Sequence, residues 1–228
     1  LNYPTPSLYH TISPCQAFCG RSLSWYDIYM THKITKYTII VGACLAVVYP
    51  LWVRMSTLTW DSGADLSSIL FPFFGLTAAS LLWLHAISGA FEPWLRANFN
   101  FDRFVQLTAG AILVCLIAHP LLLLISLGFK IWDLWAIYDI TYIYIGATAW
   151  LLLISYDIIK PFKRQGFFAR HWQKVLLISN IGFLLTFLHS LALGTDLQTG
   201  PLRAIWIFYG ITATLAIVYT YGIRPILK

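Results

Sequence analysis

Charge is what this sequence has least of. Of its 228 residues only 11% are Asp, Glu, Lys or Arg, against about 25% in soluble domains, so there is no material for a water-facing shell. Acidic side chains are the rarer sign, nine against fifteen Lys and Arg. Cysteine is scarce too, with four in all. Cys15 and Cys19 form a C-x3-C without the further His or Cys that zinc requires, and Cys44 and Cys115 read as helix-packing thiols, so no disulfide framework is implied. Also missing are a Walker loop, a G-x-G-x-x-G followed by an acid, and an H-E-x-x-H, so the usual nucleotide and zinc-protease motifs are not represented. Strand-length alternation is missing as well, which leaves helices as the secondary structure.

Apolar length is what is present. The chain is 59% hydrophobic and 17% aromatic, and its apolar residues gather into six runs, at about 34–52, 66–90, 104–128, 131–156, 171–193 and 202–222. Each approaches or exceeds the roughly 20 residues that a helix needs to cross about 30 Å of hydrocarbon. The expected fold is therefore an all-α, six-helix transmembrane bundle over residues 30–228, with no soluble domain after the last run. Most prolines fall near span ends; Pro120, inside the third, predicts a kink there. Residues 1–29 contain no long apolar run and no signal-peptide core. Met30 opens a basic stretch before the first span, so 1–29 reads as an extension or a mis-assigned start.

The Lys and Arg sort by loop. Eleven (Lys33, Lys36, Arg96 and Arg103 among them) fall on one side, and only Arg54, Lys130 and Arg203 on the other. The positive-inside rule then places both termini in the cytoplasm, and the cell (inner) membrane is the expected location. The formal charge of +6 is thereby a topology signal and a face for acidic lipid, and no nucleic-acid partner is expected.

Six histidines remain to be placed. His10 and His32 lie in polar segments. His171 opens the fifth span at the cytoplasmic boundary, and His85 sits near the inner end of the second, where a bond to a neighbouring carbonyl would satisfy it. His119 and His189 are deep. They stand sixteen residues after Arg103 and fifteen after Lys174, which puts both about 22–24 Å from the inner boundary at about 1.5 Å per residue. The third and fifth spans run parallel, so two imidazoles share one level in the outer leaflet. Ionisable groups at such depth mark functional sites by default, and matched depth on two helices suits a haem iron gripped from both faces. Asp139, about two turns into the fourth span, is the other ionisable group expected inside the membrane. It is a candidate for relaying a proton or pairing with Arg203.

The stretches FDRFVQLTAGAILVCLIAHPLLLL and RHWQKVLLISNIGFLLTFLHSLALGTDLQTGPLRAIW resemble the third helix, and the fifth helix to the start of the sixth, of the ferric reductase-like transmembrane domain family. That family includes the membrane cores of ferric reductases, NADPH oxidases and the haem subunit of the methionine sulfoxide reductase system. The resemblance covers about residues 66–224 and rests on Asp102-Arg103, His119-Pro120, Trp172, His189 and Gly194-Thr195-Asp196-Leu197. It implies that His119 and His189 are the axial ligands of the outer haem. Its inner pair is missing: Leu176 stands where the fifth helix should carry histidine, and Val105, Gln106 or Thr108 where the third should.

The expectation is one haem b, held by His119 and His189, with Arg203 placed by charge to meet a propionate. The chain would be the electron-transferring membrane subunit of an oxidoreductase that lacks a nicotinamide or flavin domain. Its electrons would come from a partner protein or a quinol, with a flavin or quinone as an open second cofactor, and would leave to an acceptor on the outer side. His85 with His171 is the substitute inner pair. The contrasting reading is a haem-free scaffold or transporter that kept the fold.

Overall fold

A computed structural model describes residues 25–58 and 65–227, with side chains from Lys33 onward. Those residues are helical almost throughout. The order is α1 (Trp25–Thr57), α2 (Leu66–Ala90), the short α3 (Glu92–Asn98), α4 (Phe101–Ser126), the short α5 (Ile131–Ile137), α6 (Ile140–Ile159), α7 (Gly166–Leu193) and α8 (Gly200–Val218). Six of these, α1, α2, α4, α6, α7 and α8, are long and apolar enough to cross a membrane. The protein is an all-α integral membrane bundle. Two compact units divide it, one ending at Ile40 and one from Val41 on. The first holds the opening turns of α1, and the second holds everything described below. Of the expected extension, residues 1–24 lie outside the described residues, and α1 is already under way at Trp25.

One span differs from expectation. The run 131–156 is broken at Tyr138 and Asp139, where the chain leaves the helix for extended backbone. Asp139 is the N-cap of α6: its carboxylate accepts from the Thr141 N–H at 2.8 Å. Asp is favoured at this position because it satisfies an amide that the helix leaves unpaired. Asp139 is therefore exposed at the end of the bundle and not two turns inside it. Asp65 caps α2 in the same way, accepting from the N–H and hydroxyl of Ser67, and these bonds hold its carboxyl below the usual carboxylate range.

Packing explains how α4 and α1 tolerate Pro120 and Pro50. A proline removes the helical bond to the carbonyl four residues back, and in lipid an unpaired carbonyl costs several kcal/mol. Pro120 orphans Leu116, and the Trp150 indole of α6 donates to that carbonyl at 2.8 Å. Pro50 orphans Ala46, and the Tyr209 hydroxyl of α8 donates there, also at 2.8 Å. α4 runs unbroken from Phe101 to Ser126 past Pro120.

The most intimate neighbours are α2 with α4 and α6 with α7, two antiparallel pairs, with α8 laid against α2 and α7. Gly182 of α7 lets the backbone of α6 approach: a Cβ there would meet the Ala149 carbonyl at 3.2 Å, the small-residue contact typical of membrane helices. On α8, Tyr209 stacks on Trp83 of α2 at 4.2 Å and 11°, and the Trp83 indole donates to Thr212. The bundle end with the 91–100 and 160–165 loops carries Arg96, Lys160 and Lys163 and is called the basic end below. There Lys163 sits over the Trp172 ring at 5.0 Å, and Arg96 bridges Glu92 and Asp102.

Candidate functional site

The two deep histidines are held in the same way by the two close helix pairs. On α4, His119 places Nδ1 2.7 Å from the carbonyl oxygen of Phe71 on α2. On α7, His189 places Nδ1 2.8 Å from the carbonyl oxygen of Tyr142 on α6. A carbonyl only accepts, so each Nδ1 carries the proton and donates. Each Nε2 keeps its lone pair, and no hydrogen bond among the described residues engages it. This is the tautomer of a metal-ligating histidine, whose other ring nitrogen donates to a carbonyl that fixes its orientation.

Room for each ring comes from a glycine one turn beyond the accepting carbonyl. A Cβ at Gly75 would lie 2.9 Å from Cε1 and Nδ1 of His119, and one at Gly146 would overlap the same atoms of His189 more severely. The two clasps match part for part: carbonyl, glycine four residues on, and imidazole from the antiparallel neighbour. Phe71 adds a ring tilted against His119, centroids 5.7 Å apart. Both histidines are half-buried. Two neutral imidazoles with bare Nε2 atoms can complete the coordination of an iron whose other bonds come from a porphyrin. Among the described residues no cluster of three or more His, Cys, Asp or Glu is gathered for a bare ion.

The remaining candidates fall elsewhere. One nitrogen of Arg203, Nη1, donates to the Leu197 and Gln198 carbonyls at 3.0 and 3.3 Å, closing the turn before α8. Arg54 is paired with Asp196 at 3.4 Å, and Thr57 also donates to that carboxylate. The Gly-Thr-Asp-Leu motif thus ties the α7–α8 connection to the end of α1, with Leu197 only 1% exposed in the core. His171 bonds to Phe167 of its own helix and stacks against that ring at 4.4 Å. His85 bonds through Nε2 to Thr108 at 2.6 Å. It lines a cavity of about 660 Å³ toward the basic end, whose wall His171 does not join. The structure therefore does not assemble His85 and His171 into a pair. Val105 and Leu176, at the positions of the absent inner ligands, both line this cavity, whereas Gln106 does not. Cys115 is buried as a packing thiol, and Cys44 is exposed on the surface of α1.

The sequence singles out both histidines as candidates but gives no sign of Gly75, Gly146 or the two carbonyls that hold the rings. Neither glycine stands near its histidine in the chain, so no local pattern announces the pairing. Compared with protein-family models, curated proteins and solved structures, the chain matches none.

Proposed function

We propose that this protein binds one haem b between His119 and His189 and carries single electrons as the membrane subunit of an oxidoreductase. On this reading it is a divergent member of the ferric reductase-like transmembrane family that lacks the inner histidines. The observation that carries the proposal is the doubled clasp: each Nδ1–H held on a helix carbonyl, each ring seated over a glycine, each Nε2 unengaged. A histidine buried only to pack could make the same carbonyl bond, so it is the repetition of the clasp on a second helix pair, with both Nε2 atoms bare, that favours a ligand. The haem, when bound, supplies an iron that alternates between the ferric and ferrous states.

The chain's own residues do the rest. The Phe71 and Tyr142 carbonyls hold the rings in orientation and raise the basicity of Nε2. Two imidazole ligands leave no open coordination position, which favours electron transfer over binding of oxygen. The basic end faces the cytoplasm, so the clasps lie nearer the outer face of the cell membrane, with an acceptor on that side. The donor is a partner protein or a lipid-soluble quinol.

The deciding experiment is an absorption spectrum of the purified protein. Dithionite reduction should give a sharp Soret band with resolved α and β bands at about one haem per chain. A colourless preparation would leave the haem-free scaffold as the better account.

A further inference from the structure

The cavity at the basic end belongs to neither clasp. We propose that it binds the head group of a lipid-soluble quinone. Its volume, about 660 Å³, lies within the range of roughly 300–1,000 Å³ usual for small-molecule sites, and it sits in the half of the bundle that the clasps leave free. Leu82, Ile112, Leu116, Leu153 and Phe183 form an apolar chamber.

Charge narrows the occupant. The ionised side chains in the wall are Glu92, Asp157 and Arg224, and Arg224 is already turned to the Gly89 carbonyl at 3.4 Å. Two acids against one base give a poor seat for a phosphate or for haem propionates. A second haem would also need ligands on facing walls, and Val105 and Leu176 provide none. The cavity suits a neutral, ring-shaped molecule.

Hydrogen bonding narrows it further. The Thr108 hydroxyl donates to the Phe104 carbonyl at 2.7 Å, so the His85 Nε2–H must donate to Thr108. His85 Nδ1 is then a neutral acceptor on a ring that lines the cavity. Asn180 uses its amide hydrogens on the Leu176 carbonyl and the Tyr221 oxygen, at 2.8 and 3.1 Å, which leaves the Tyr221 proton free to donate. The Thr220 hydroxyl is buried with no partner. Both belong to a π-helical turn, Tyr219–Ile223, that replaces regular helix after α8, and such turns recur at functional sites. A chamber whose wall mixes these apolar side chains with polar ones, among them the free Tyr221 hydroxyl proton and the His85 imidazole acceptor, suits a ring bearing two oxygens, carbonyl when oxidised and hydroxyl when reduced. A quinone carbonyl would accept from Tyr221, and a quinol hydroxyl would donate to His85. The site gives a place to the quinol named above as a donor. Binding rests on the cavity alone, and only what the bound quinol does rests on the haem reading.

The test uses the full chain in lipid nanodiscs, titrated with decylubiquinone and compared with empty nanodiscs by calorimetry. Saturable binding at one per chain is expected. Leu176→Trp, which fills the cavity, should weaken it at least tenfold. Tyr221→Phe, which removes the hydrogen bond to the ligand together with the Asn180 bond, should weaken it about threefold to tenfold in a protein that still folds. The readout is quinone binding and not colour, so failure of the haem reading leaves this result standing. Binding no greater than to empty discs would overturn the proposal, as would a folded Leu176→Trp protein of unchanged affinity. So would two haems per unaltered chain. If Leu176→Trp does not fold, Tyr221→Phe decides: unchanged affinity in that variant overturns the site.

Discussion

At His119 and His189 the cost of an ionisable group in lipid is met by a helix carbonyl on one side of the ring and, on our reading, by iron on the other. His119→Ala and His189→Ala should each remove most of the haem, because one imidazole leaves the iron under-ligated. His85→Ala should leave the spectrum nearly unchanged. If His85→Ala alone bleaches the protein, the ligands have been assigned to the wrong residues. The glycines give a sharper test. In a helix interior Gly→Ala ordinarily stabilises by about 1 kcal/mol, so a purely structural role predicts sturdier variants with normal colour. Here a methyl group at Gly75 or Gly146 meets the imidazole and forces it off its carbonyl. Haem content measured by the pyridine haemochrome assay should fall severalfold in Gly146→Ala and less in Gly75→Ala, while the helices themselves are no less stable.

Among the elements, the spans were readable because hydrocarbon thickness dictates apolar length. The 66–90 run coincides with α2, and 104–128, 171–193 and 202–222 agree with α4, α7 and α8 within about five residues, whereas α1 (Trp25–Thr57) starts nine residues ahead of the 34–52 run. The break before α6 was the other exception. The apolar run 131–156 continues across it, so length alone argued for one helix. The counter-signal was Asp139 with Thr141 two residues on, an N-cap pattern outweighed by its apolar surroundings. The partners of Pro50 and Pro120 could not be read at all, since a freed carbonyl is visible in the sequence but the helix that answers it is not. That pairing makes a prediction of its own. Trp150→Phe should cost about 1–3 kcal/mol in steric-trap or denaturant unfolding, because the Leu116 carbonyl is left unpaired. In a Pro120→Ala background, where the helix can satisfy Leu116 itself, the same change should cost markedly less. Equal costs in the two backgrounds would mean that the indole bond is incidental.

For the whole molecule, charge asymmetry predicts the orientation, and the cavity offers a test of the proposed likeness to the ferric reductase-like family. With native cysteines replaced, an impermeant thiol reagent outside intact cells should label Thr199→Cys and not Gln165→Cys, and the reverse pattern would move the clasps to the cytoplasmic half. Val105 and Leu176 share the wall of one cavity, about thirteen residues or 20 Å along their helices from the clasps. Val105→His with Leu176→His should therefore raise haem per chain above one and add a second reduction potential. A folded double variant that stays at one haem would count against the proposed likeness to the family at the inner site.

The matched clasps carry a consequence for how the molecule is made. Each joins two helices adjacent in the membrane and close in the chain, α2 with α4 and α6 with α7, so either hairpin can fold as it leaves the insertion machinery, without waiting for the other. The iron would then add a rivet to the side-chain contacts that already join the halves, such as Trp83 with Tyr209 and Trp150 with Leu116, and its arrival would be the last act of assembly. A chain cut in the stretch 127–130 and expressed as two pieces should reunite around haem, yielding a coloured complex when haem is supplied and separable fragments when its synthesis is blocked.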